Sequence, residues 1–518
     1  MLTAKDQNNV DDAALRSWTH TDGFGRTTEN WSRDPQGDVK VATVYDGLGR
    51  VGQKSNPFRP SLSETAIYTT TGYDLAGRVA SIITPDTAAL TSYFSGDTTL
   101  VKDPRGVESV SRTDALGRLT DVWEIAPSDQ WTEAVSFPGH SEVAAGYHTA
   151  YGYDALDDLT GVTQGTQPPR SFQYDSLKRL TTVTNPESGT VGYQYDDEGN
   201  IRVKTDARGV SAHFEYDAMD RVTRRWYNGS SALAATTNNS PALPSGVGAS
   251  DEVKYFYDSQ ALPAGAPPSF DRGYATGRPA ASTYGGASSG TYMGYDAAGR
   301  LLRSVQQTGG VNYQFGPINY NRAGAMTSES YPSGHTVTYN YDAAGRLGDS
   351  GTQQNQLAFT GNLGDGVTRT YASQLVYDSF GGMNQERFGT DTPVYNKRLY
   401  NSRGQLAEIR VSTYAYTDAA NKTNWNRGAI INHYSTAPGA WGATGSGPDN
   451  NGNLQKQEIF VPDNDQANSW TNVVQEYGYD PLNRLSVVYD KPFNGSPDSY
   501  QSYTYDRRGN RTINTSNT

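Results

Sequence analysis

The chain has 518 residues, with 43 Lys and Arg against 55 Asp and Glu, and its formal net charge is −12. This acidic balance argues against a nucleic-acid partner, because binding a phosphate backbone needs a basic stripe. The sequence contains no run of about 18 apolar residues, so it predicts no membrane-spanning helix. The absence of cysteine excludes disulfides, thiolate zinc sites and thiol nucleophiles.

The first twenty residues lack the apolar core of a secretory signal. The mean hydropathy of −0.70 is typical of disordered chains. However, 36 Tyr, 8 Trp and 14 Phe are far too many aromatic residues for a solvated coil. Tyr supplies a large area for burial without raising hydropathy, so we expect a folded protein whose packing depends on tyrosine.

One short pattern, Tyr-Asp-x-x-Gly-Arg, recurs along almost the whole chain. Clean copies begin at Tyr45, Tyr73, Tyr295 and Tyr341. Copies that lack the Tyr, the Gly or the Arg begin at Thr21, Thr113, Tyr153, Tyr174, Tyr195, Tyr216, Tyr320, Tyr377, Tyr400, Tyr479 and Tyr505. The residues at 154, 175, 196 and 217 are all Asp and are spaced by 21. A fixed period of this kind identifies a repeat protein.

Each repeat predicts a β-hairpin. Aromatic and β-branched residues alternate before the motif, as at Val191, Tyr193 and Tyr195, which places them on one face of a strand. Asp-x-x-Gly then predicts a type I turn, with Asp capping it and Gly in the left-handed conformation. A second strand and a second turn follow, the latter at Asp34–Gly37, Asp103–Gly106, Asp206–Gly209 and Tyr331–Gly334. We expect no amphipathic helix of convincing length.

The sequence therefore predicts an all-β fold of some thirty short strands. So many strands cannot form one flat open sheet, because twisted sheets beyond about ten strands curl, split or close. A propeller, a stacked sandwich and a sheet wound into a shell all remain open on periodicity alone.

The motif resembles the YD repeat of the Rhs proteins, of the Tc-toxin B and C components and of teneurins, and the likeness runs from Asp22 to Asn510. This resemblance implies tandem β-hairpins wound into a spiral, hollow β-shell, with Tyr and Leu faces packed between neighbouring turns of the spiral. In Rhs and Tc proteins the shell encloses a C-terminal toxin, and the resemblance implies an enclosing role for this chain.

The chain departs from that family at its end. Family members with cargo carry a core segment after the repeats, where an aspartate-dependent self-cleavage releases the toxin. Only eight residues, 511–518, follow Asn510 here. We therefore expect either a shell fragment or a short stand-alone YD protein, and assign self-cleavage to no residue.

The predicted organisation has three parts. Residues 1–20 form an N-terminal segment or partial plug, 21–510 form the YD-repeat shell, and 511–518 form a short polar tail. Insertions rich in Gly, Ala, Ser, Pro and Asn interrupt the shell near 228–290 and 418–450. Such insertions are either solvated linkers or exposed binding loops. Trp425, Trp441 and Trp470, in or beyond the second insertion, suit either stacking on sugars or filling the interior of the shell.

Motifs for catalysis or metal binding give little signal. The run Gly286–Gly290 fits Gly-x-Ser-x-Gly but lacks a strand–elbow–helix context. The six histidines (His20, His140, His148, His213, His335 and His433) show no metal-ligand spacing, and His140 and His148 are the closest pair. Asp196–Glu198 and Asp463–Asp465 do not continue into a calcium loop. We therefore predict no catalytic, cofactor or metal residue, and interpret the repeated Asp and Arg as structural.

Our leading hypothesis is a non-enzymatic YD-repeat shell or scaffold of a toxin-encapsulating or cell-surface protein. It would be exported by a dedicated system or as part of a longer chain. Two alternatives are a carbohydrate-binding surface protein and a polysaccharide hydrolase or lyase with a site built into the shell. Expected partners are a toxin cargo, the remainder of a shell or a glycan, with no nucleic acid, membrane span or cofactor.

The final expectation concerns closure of the sheet. A spiral sheet leaves free edge strands, here near residues 20 and 510, each with unpaired backbone groups. We expect an incompletely closed shell whose C-terminal edge is open and pairs with another copy or with a continuation of the chain. A charged tail containing proline should then reduce association in light scattering, because proline cannot donate to a ladder.

Overall fold

The computed structural model describes residues 2–5, 7, 15–125, 146–165, 167–228, 252–284, 289–348, 357–390, 392–415, 425–436, 447–463, 470–492, 499–506 and 509–514. The fold of these residues is almost entirely β, in two long antiparallel sheets that do not close. Among them the one helical element is a 3-10 turn at Pro60–Leu62, and no helix is long and apolar enough to cross a membrane. The predicted fold class is confirmed.

The first sheet has 24 strands, and each strand pairs antiparallel with the next in chain order. The strands are β1 Leu2–Lys5, β2 Leu15–Thr21, β3 Thr27–Ser32, β4 Val39–Tyr45, β5 Val51–Ser55, β6 Tyr68–Tyr73, β7 Val79–Ile83, β8 Ala89–Ser95, β9 Thr98–Lys102, β10 Glu108–Thr113, β11 Leu119–Ile125, β12 Gly146–Tyr153, β13 Leu159–Gln164, β14 Arg170–Tyr174, β15 Leu180–Asn185, β16 Gly189–Tyr195, β17 Ile201–Thr205, β18 Ser211–Tyr216, β19 Val222–Asn228, β20 Glu252–Tyr257, β21 Pro279–Tyr284, β22 Ser289–Tyr295, β23 Leu301–Thr308 and β24 Val311–Phe315.

The second sheet has 14 strands in the same sequential order. The strands are β25 Asn319–Tyr320, β26 Met326–Ser330, β27 Thr336–Tyr339, β28 Leu357–Asn362, β29 Arg369–Tyr377, β30 Met383–Phe388, β31 Val394–Tyr400, β32 Leu406–Ser412, β33 Gly428–His433, β34 Lys456–Pro462, β35 Trp470–Tyr479, β36 Leu485–Pro492, β37 Ser499–Tyr505 and β38 Arg511–Asn514.

The strands divide into two sheets between β24 and β25. Pro317 separates β24 from β25, and it has no N–H to continue the ladder. On either side the chain still bonds to both sheets, because Ile318 N–H donates to Leu302 O and Gly316 N–H donates to Ser330 O, both at 2.8 Å. The break is therefore bridged by backbone hydrogen bonds.

The sheets also extend beyond the repeat motif at both ends. β1 pairs with β2 along Leu2–Lys5, and β38 pairs with β37 along Arg511–Asn514. Edge pairing needs a backbone ladder and no motif, and the three-part division at 21 and 510 stays a prediction. Among the described residues, β38 has a strand on one side only, which agrees with an open C-terminal edge.

All Tyr-Asp turns of a sheet lie at the same end of its strands, because each strand reverses direction and the motif recurs at every second connection. We call this end the YD rim and the other end, which carries turns such as Asp34–Gly37, the opposite rim. The YD rim of the second sheet contacts the opposite rim of the first sheet, where Arg346 pairs with Asp34 at 2.8 Å. The chain therefore completes one circuit between residues 34 and 346.

Apolar packing is distributed over several small clusters. One contains Leu100, Val110 and Trp123, and another contains Ala281, Tyr292 and Val305. This arrangement suits a sheet in which most strand residues are half-buried. Tyrosine suits such positions, since its ring packs while its hydroxyl remains available for a hydrogen bond.

Candidate functional site

The carboxylate of the repeated Asp organises each YD turn. Asp46 Oδ1 accepts hydrogen bonds from the backbone N–H groups of Leu48 and Arg50, both at 2.9 Å, and Oδ2 accepts one from Arg50 Nε at 2.8 Å. Gly49 closes the turn with φ +80°. The hydrogen bond from the Arg50 N–H contributes most to holding the pKa of Asp46 below its ordinary value. The predicted capping role of Asp is confirmed.

The Arg of one turn then contacts the Tyr of the next. The Arg50 guanidinium lies 4.2 Å from the centre of the Tyr73 ring, and Tyr73 Oη donates to Val51 O at 2.9 Å. The same stacking recurs for Arg26 and Tyr45, Arg118 and Tyr153, Arg179 and Tyr195, Arg221 and Tyr257, Arg300 and Tyr320, Arg346 and Tyr377, and Arg484 and Tyr505. We call this set of contacts the Asp–Arg–Tyr ladder, and it links these hairpins to their neighbours along the YD rim.

Where the two sheets meet, buried polar groups replace the apolar contacts of an ordinary core. Arg59 is 2% exposed, and one terminal nitrogen donates to Tyr377 O and Asp378 O, both at 3.0 Å. The same nitrogen lies 3.2 Å from Asp34 Oδ2, which Arg346 also approaches. Burial raises the pKa of the Asp378 carboxyl.

Asparagine amides continue these contacts further along the two sheets. Asn450 Nδ2 donates to Asp86 Oδ2 at 2.9 Å, while the Nδ2 groups of Asn451 and Asn483 donate to Asp103 Oδ2 at 3.1 and 2.9 Å. We call this line of contacts, from Asp34 to Asp103 on the first sheet, the seam. Asp86 and Asp103 belong to the second kind of turn, so these turns dock one circuit of sheet on the next.

A cleft of about 430 Å³ lies at the start of the seam. Arg16, Arg33 and Arg346 supply positive charge, and Leu15 and Phe380 supply apolar surface. A neighbouring cleft of about 670 Å³ includes Trp18, whose ring stacks on Trp31 with centroids 5.7 Å apart. An aromatic surface beside charged side chains can bind a polar ligand with an apolar face.

The histidines that the structure describes have separate partners. His20 lies 2.9 Å from Glu29, His148 lies 2.7 Å from Asp121, and His335 lies 2.9 Å from Tyr371 Oη. His433 lies 3.2 Å from Glu458, and His213 stacks on the Trp226 ring. His140 lies outside the described residues.

The other predicted candidates also lie apart. Among the described residues, no three His, Asp or Glu side chains come together as ligands of a metal ion would. Asp196 caps its YD turn, and Asp463 Oδ1 accepts from Thr471 Oγ1 at 2.6 Å. Within the serine motif, Ser289 begins β22, while residues 286–288, Asp465 and Trp441 lie outside the described part of the chain.

The insertions are partly packed against the sheets. In the first insertion, Leu262, Ala266 and Phe270 pack against the cluster that contains Tyr292. In the second, the Trp425 ring makes an edge contact with Phe460, with centroids 4.8 Å apart. These apolar side chains bury surface on the strands, and the choice between linkers and binding loops stays open for the insertions.

The repeats match a family model described as RHS Repeat at residues 153–190, 174–210, 195–225 and 320–354. No curated protein matches the sequence.

Solved structures that resemble the fold include TcdB2-TccC3 without its hypervariable C-terminal region, with a TM-score of 0.67 and 14% identity over 100% of this chain. TcdB2-TccC3-TEV and the Photorhabdus luminescens Tc holotoxin pore both give a TM-score of 0.66 at 13% identity, over 99% and 98% of this chain. The chain spans 27% of the length of each of these structures.

The repeated Asp–Arg–Tyr ladder, the two long sheets and these matches define a class of protein, the YD-repeat β-sheet proteins with a Tc-toxin-like fold. This chain contains YD, or RHS, repeats, and its fold is similar to that of the TcdB2-TccC3 structures.

Proposed function

We propose that the chain is part of the wall of a YD-repeat shell that encloses a polypeptide cargo such as a toxin, in an exported or cell-surface protein. The observation that carries the proposal is the seam, because it requires the sheet to return on itself after one circuit. Sheet strands lie about 4.8 Å apart, so a circuit of about 23 strands is roughly 110 Å long and about 35 Å across. A space of that width exceeds what side chains fill.

The likeness to structures of TcdB2-TccC3 supports this proposal at the level of fold. Electron microscopy of the purified chain should show a curved wall about one sheet thick around a hollow centre. A solid particle without internal space would overturn the shell.

Enclosure of a polypeptide needs a separate measurement. A flexible, trypsin-sensitive peptide joined after Thr518 should be digested more slowly than the same peptide joined before Met1, if the wall shelters a segment attached to its C-terminal end. Equal digestion of the two fusions would refute enclosure by this part of the shell.

A second candidate function is glycan binding, and the stacked Trp18–Trp31 pair beside the cleft is the observation that favours it. Indole rings stack on the apolar faces of sugars, while Arg16 and Asp38 supply polar groups at the rim of that cleft. Trp18→Ala should abolish binding on a glycan array, whereas Trp425→Ala should not. An array that is blank for the unaltered chain would reject this function, and turnover of bound polysaccharide would indicate a hydrolase or lyase instead.

A further inference from the structure

The YD rim of the first sheet carries a row of exposed apolar side chains. The third residue of the turn is Phe24, Leu48, Leu116, Leu156, Leu177 or Met219 in six of these turns, and their exposed fractions run from 51% to 87%. We call this row the apolar ridge. Neighbouring hairpins are two strands, or about 10 Å, apart, so the ridge follows the rim for roughly 75 Å.

Turn chemistry does not require apolar side chains at this position. Glu198 and Arg403 occupy it in other turns with the same Asp or Asn cap. An extended, exposed apolar surface on a soluble protein usually marks an interaction site.

The second sheet shows what this position does when the rim is docked. Its YD turns lie on the opposite rim of the first sheet, where Asn56 Nδ2 donates to Ser402 O at 2.5 Å and Arg59 reaches Asp378 O. There the third residue is Ala323, Ala344, Phe380, Arg403 or Leu482. Phe380 and Ala344 line the cleft beside Leu15, and Arg403 donates to Asn450 O.

The same chain also has an exposed apolar surface on the rim that could receive such YD turns. The opposite rim of the second sheet presents Leu363, Val367 and Val461, which are 50% to 57% exposed. This rim corresponds to the one that receives YD turns in the seam. It combines exposed apolar groups with the Asp365–Arg369 ion pair.

We propose that the apolar ridge is a docking surface whose occupant is the opposite rim of the second sheet of another copy of this chain. The contact repeats, between molecules, the arrangement that the seam makes within one molecule. The two surfaces differ, so the contact is head to tail and can continue beyond a dimer. The inference rests on the proposed shell function. It adds which surfaces would join one copy of the wall to the next.

Sedimentation velocity of the full chain over a range of concentrations tests whether the chain associates through the apolar ridge. The unaltered chain should associate, and a variant with Leu48→Glu, Leu116→Glu and Leu177→Glu should remain monomeric. The matched control carries Val44→Glu, Val79→Glu and Ile83→Glu, which places the same charges at exposed apolar positions on strands of the same sheet. The control should associate like the unaltered chain.

A strictly monomeric unaltered chain, or equal association of the ridge variant, would overturn the proposal, and so would loss of association in the control. Circular dichroism checks that each variant is folded, and a Leu→Gln set at the same three positions replaces the Glu set if it is not.

A charged, proline-containing tail added after Thr518 distinguishes pairing through the open edge of the sheet from docking through the apolar ridge. Association abolished by this tail and unchanged by the ridge substitutions would indicate edge pairing and reject the ridge. The hollow centre expected in electron microscopy does not depend on any of these outcomes, so failure of the ridge contact and failure of the shell can be told apart.

Discussion

At the scale of single residues, the repeated Asp makes three hydrogen bonds within its own turn. It accepts from two backbone N–H groups and one guanidinium, as at Asp175, where the distances are 2.9, 3.0 and 2.7 Å. Asn401 shows that the two backbone bonds survive with an amide, since its Oδ1 accepts from Arg403 N and Gln405 N. The capping bonds and the Arg pairing are therefore separable.

Two substitutions at Asp175 should separate the effect of the capping bonds from that of the pairing with Arg179. Asp175→Ala removes the acceptor of all three bonds and should lower the free energy of unfolding by about 1–2 kcal/mol. Asp175→Asn keeps the capping oxygen and loses a partly exposed ion pair, so the loss should be about 0.5 kcal/mol or less. Urea denaturation measures both, and equal losses in the two variants would contradict the assigned role of the cap.

Glu458 provides a pH-dependent contribution. The His433 ring, 3.2 Å away, and the Lys456 ammonium, 2.6 Å away, lower the pKa of its carboxyl to about 2. Because the folded-state pKa is depressed, the added stability is present above the ordinary value near 4.5 and is lost as the pH falls toward 2.

Glu458→Gln should therefore flatten the fall in stability between pH 4.5 and 2, by an amount on the order of 3 kcal/mol. The matched control is Glu29→Gln. Lys40 contributes most to lowering the pKa of Glu29, also to about 2, but that carboxyl is more exposed and better screened by solvent. Denaturation midpoints at a series of pH values compare the two variants. If stability falls with pH at the same slope in the unaltered chain and in Glu458→Gln, the Glu458 carboxylate does not contribute to the pH dependence.

At the scale of elements, one hairpin differs from its neighbours because an insertion packs on it. Gly294 precedes the Tyr of its motif, as Gly152 does in another repeat. A Cβ at Gly294 would lie 2.6 Å from Asp271 O, in the loop between β20 and β21. At Gly152 the nearest atom would be Thr160 Oγ1, at 3.7 Å.

Gly294→Ala should therefore displace the loop at 258–278, since the obstructing atom belongs to the backbone. We expect faster proteolysis within this loop and a loss of about 1–3 kcal/mol. Gly152→Ala, at the same repeat position, should leave the proteolytic pattern unchanged. Equal cleavage rates in the two variants would show that the loop does not depend on the close approach at Gly294.

At the scale of the whole molecule, the seam decides whether the two sheets act as one body. Arg59 is its most buried cation, and it joins Asp34 of the first sheet to the backbone of the second. Truncating one member of a buried charged set leaves other groups without their partner, which is costly.

Arg59→Ala should accordingly lower stability by about 3 kcal/mol and separate the sheets, so that the radius of gyration from small-angle scattering increases. Arg208→Ala is the control, because that side chain is 80% exposed and pairs with Asp206 within a single turn. An Arg59→Ala chain of unchanged size and stability would show that the seam does not hold the circuit closed.

The sequence by itself determined the hairpin, its turns and the repetition, because those depend on residues no more than about four positions apart. Asp46 and Gly49 are examples, since one caps the turn and the other adopts its left-handed φ. The turn at Asp175 has Lys178 in place of Gly at φ +63°, while Asp175 still accepts from the backbone N–H groups of Leu177 and Arg179.

Only the tertiary structure decided which distant turns meet. Arg59 and Asp378 are 319 positions apart, and nothing in either motif indicates the other. The curvature that brings them together accumulates over about 23 strand pairings, each adding a small twist. Neither the seam nor the apolar ridge could therefore be predicted from the spacing of residues, since both depend on how the whole sheet returns on itself.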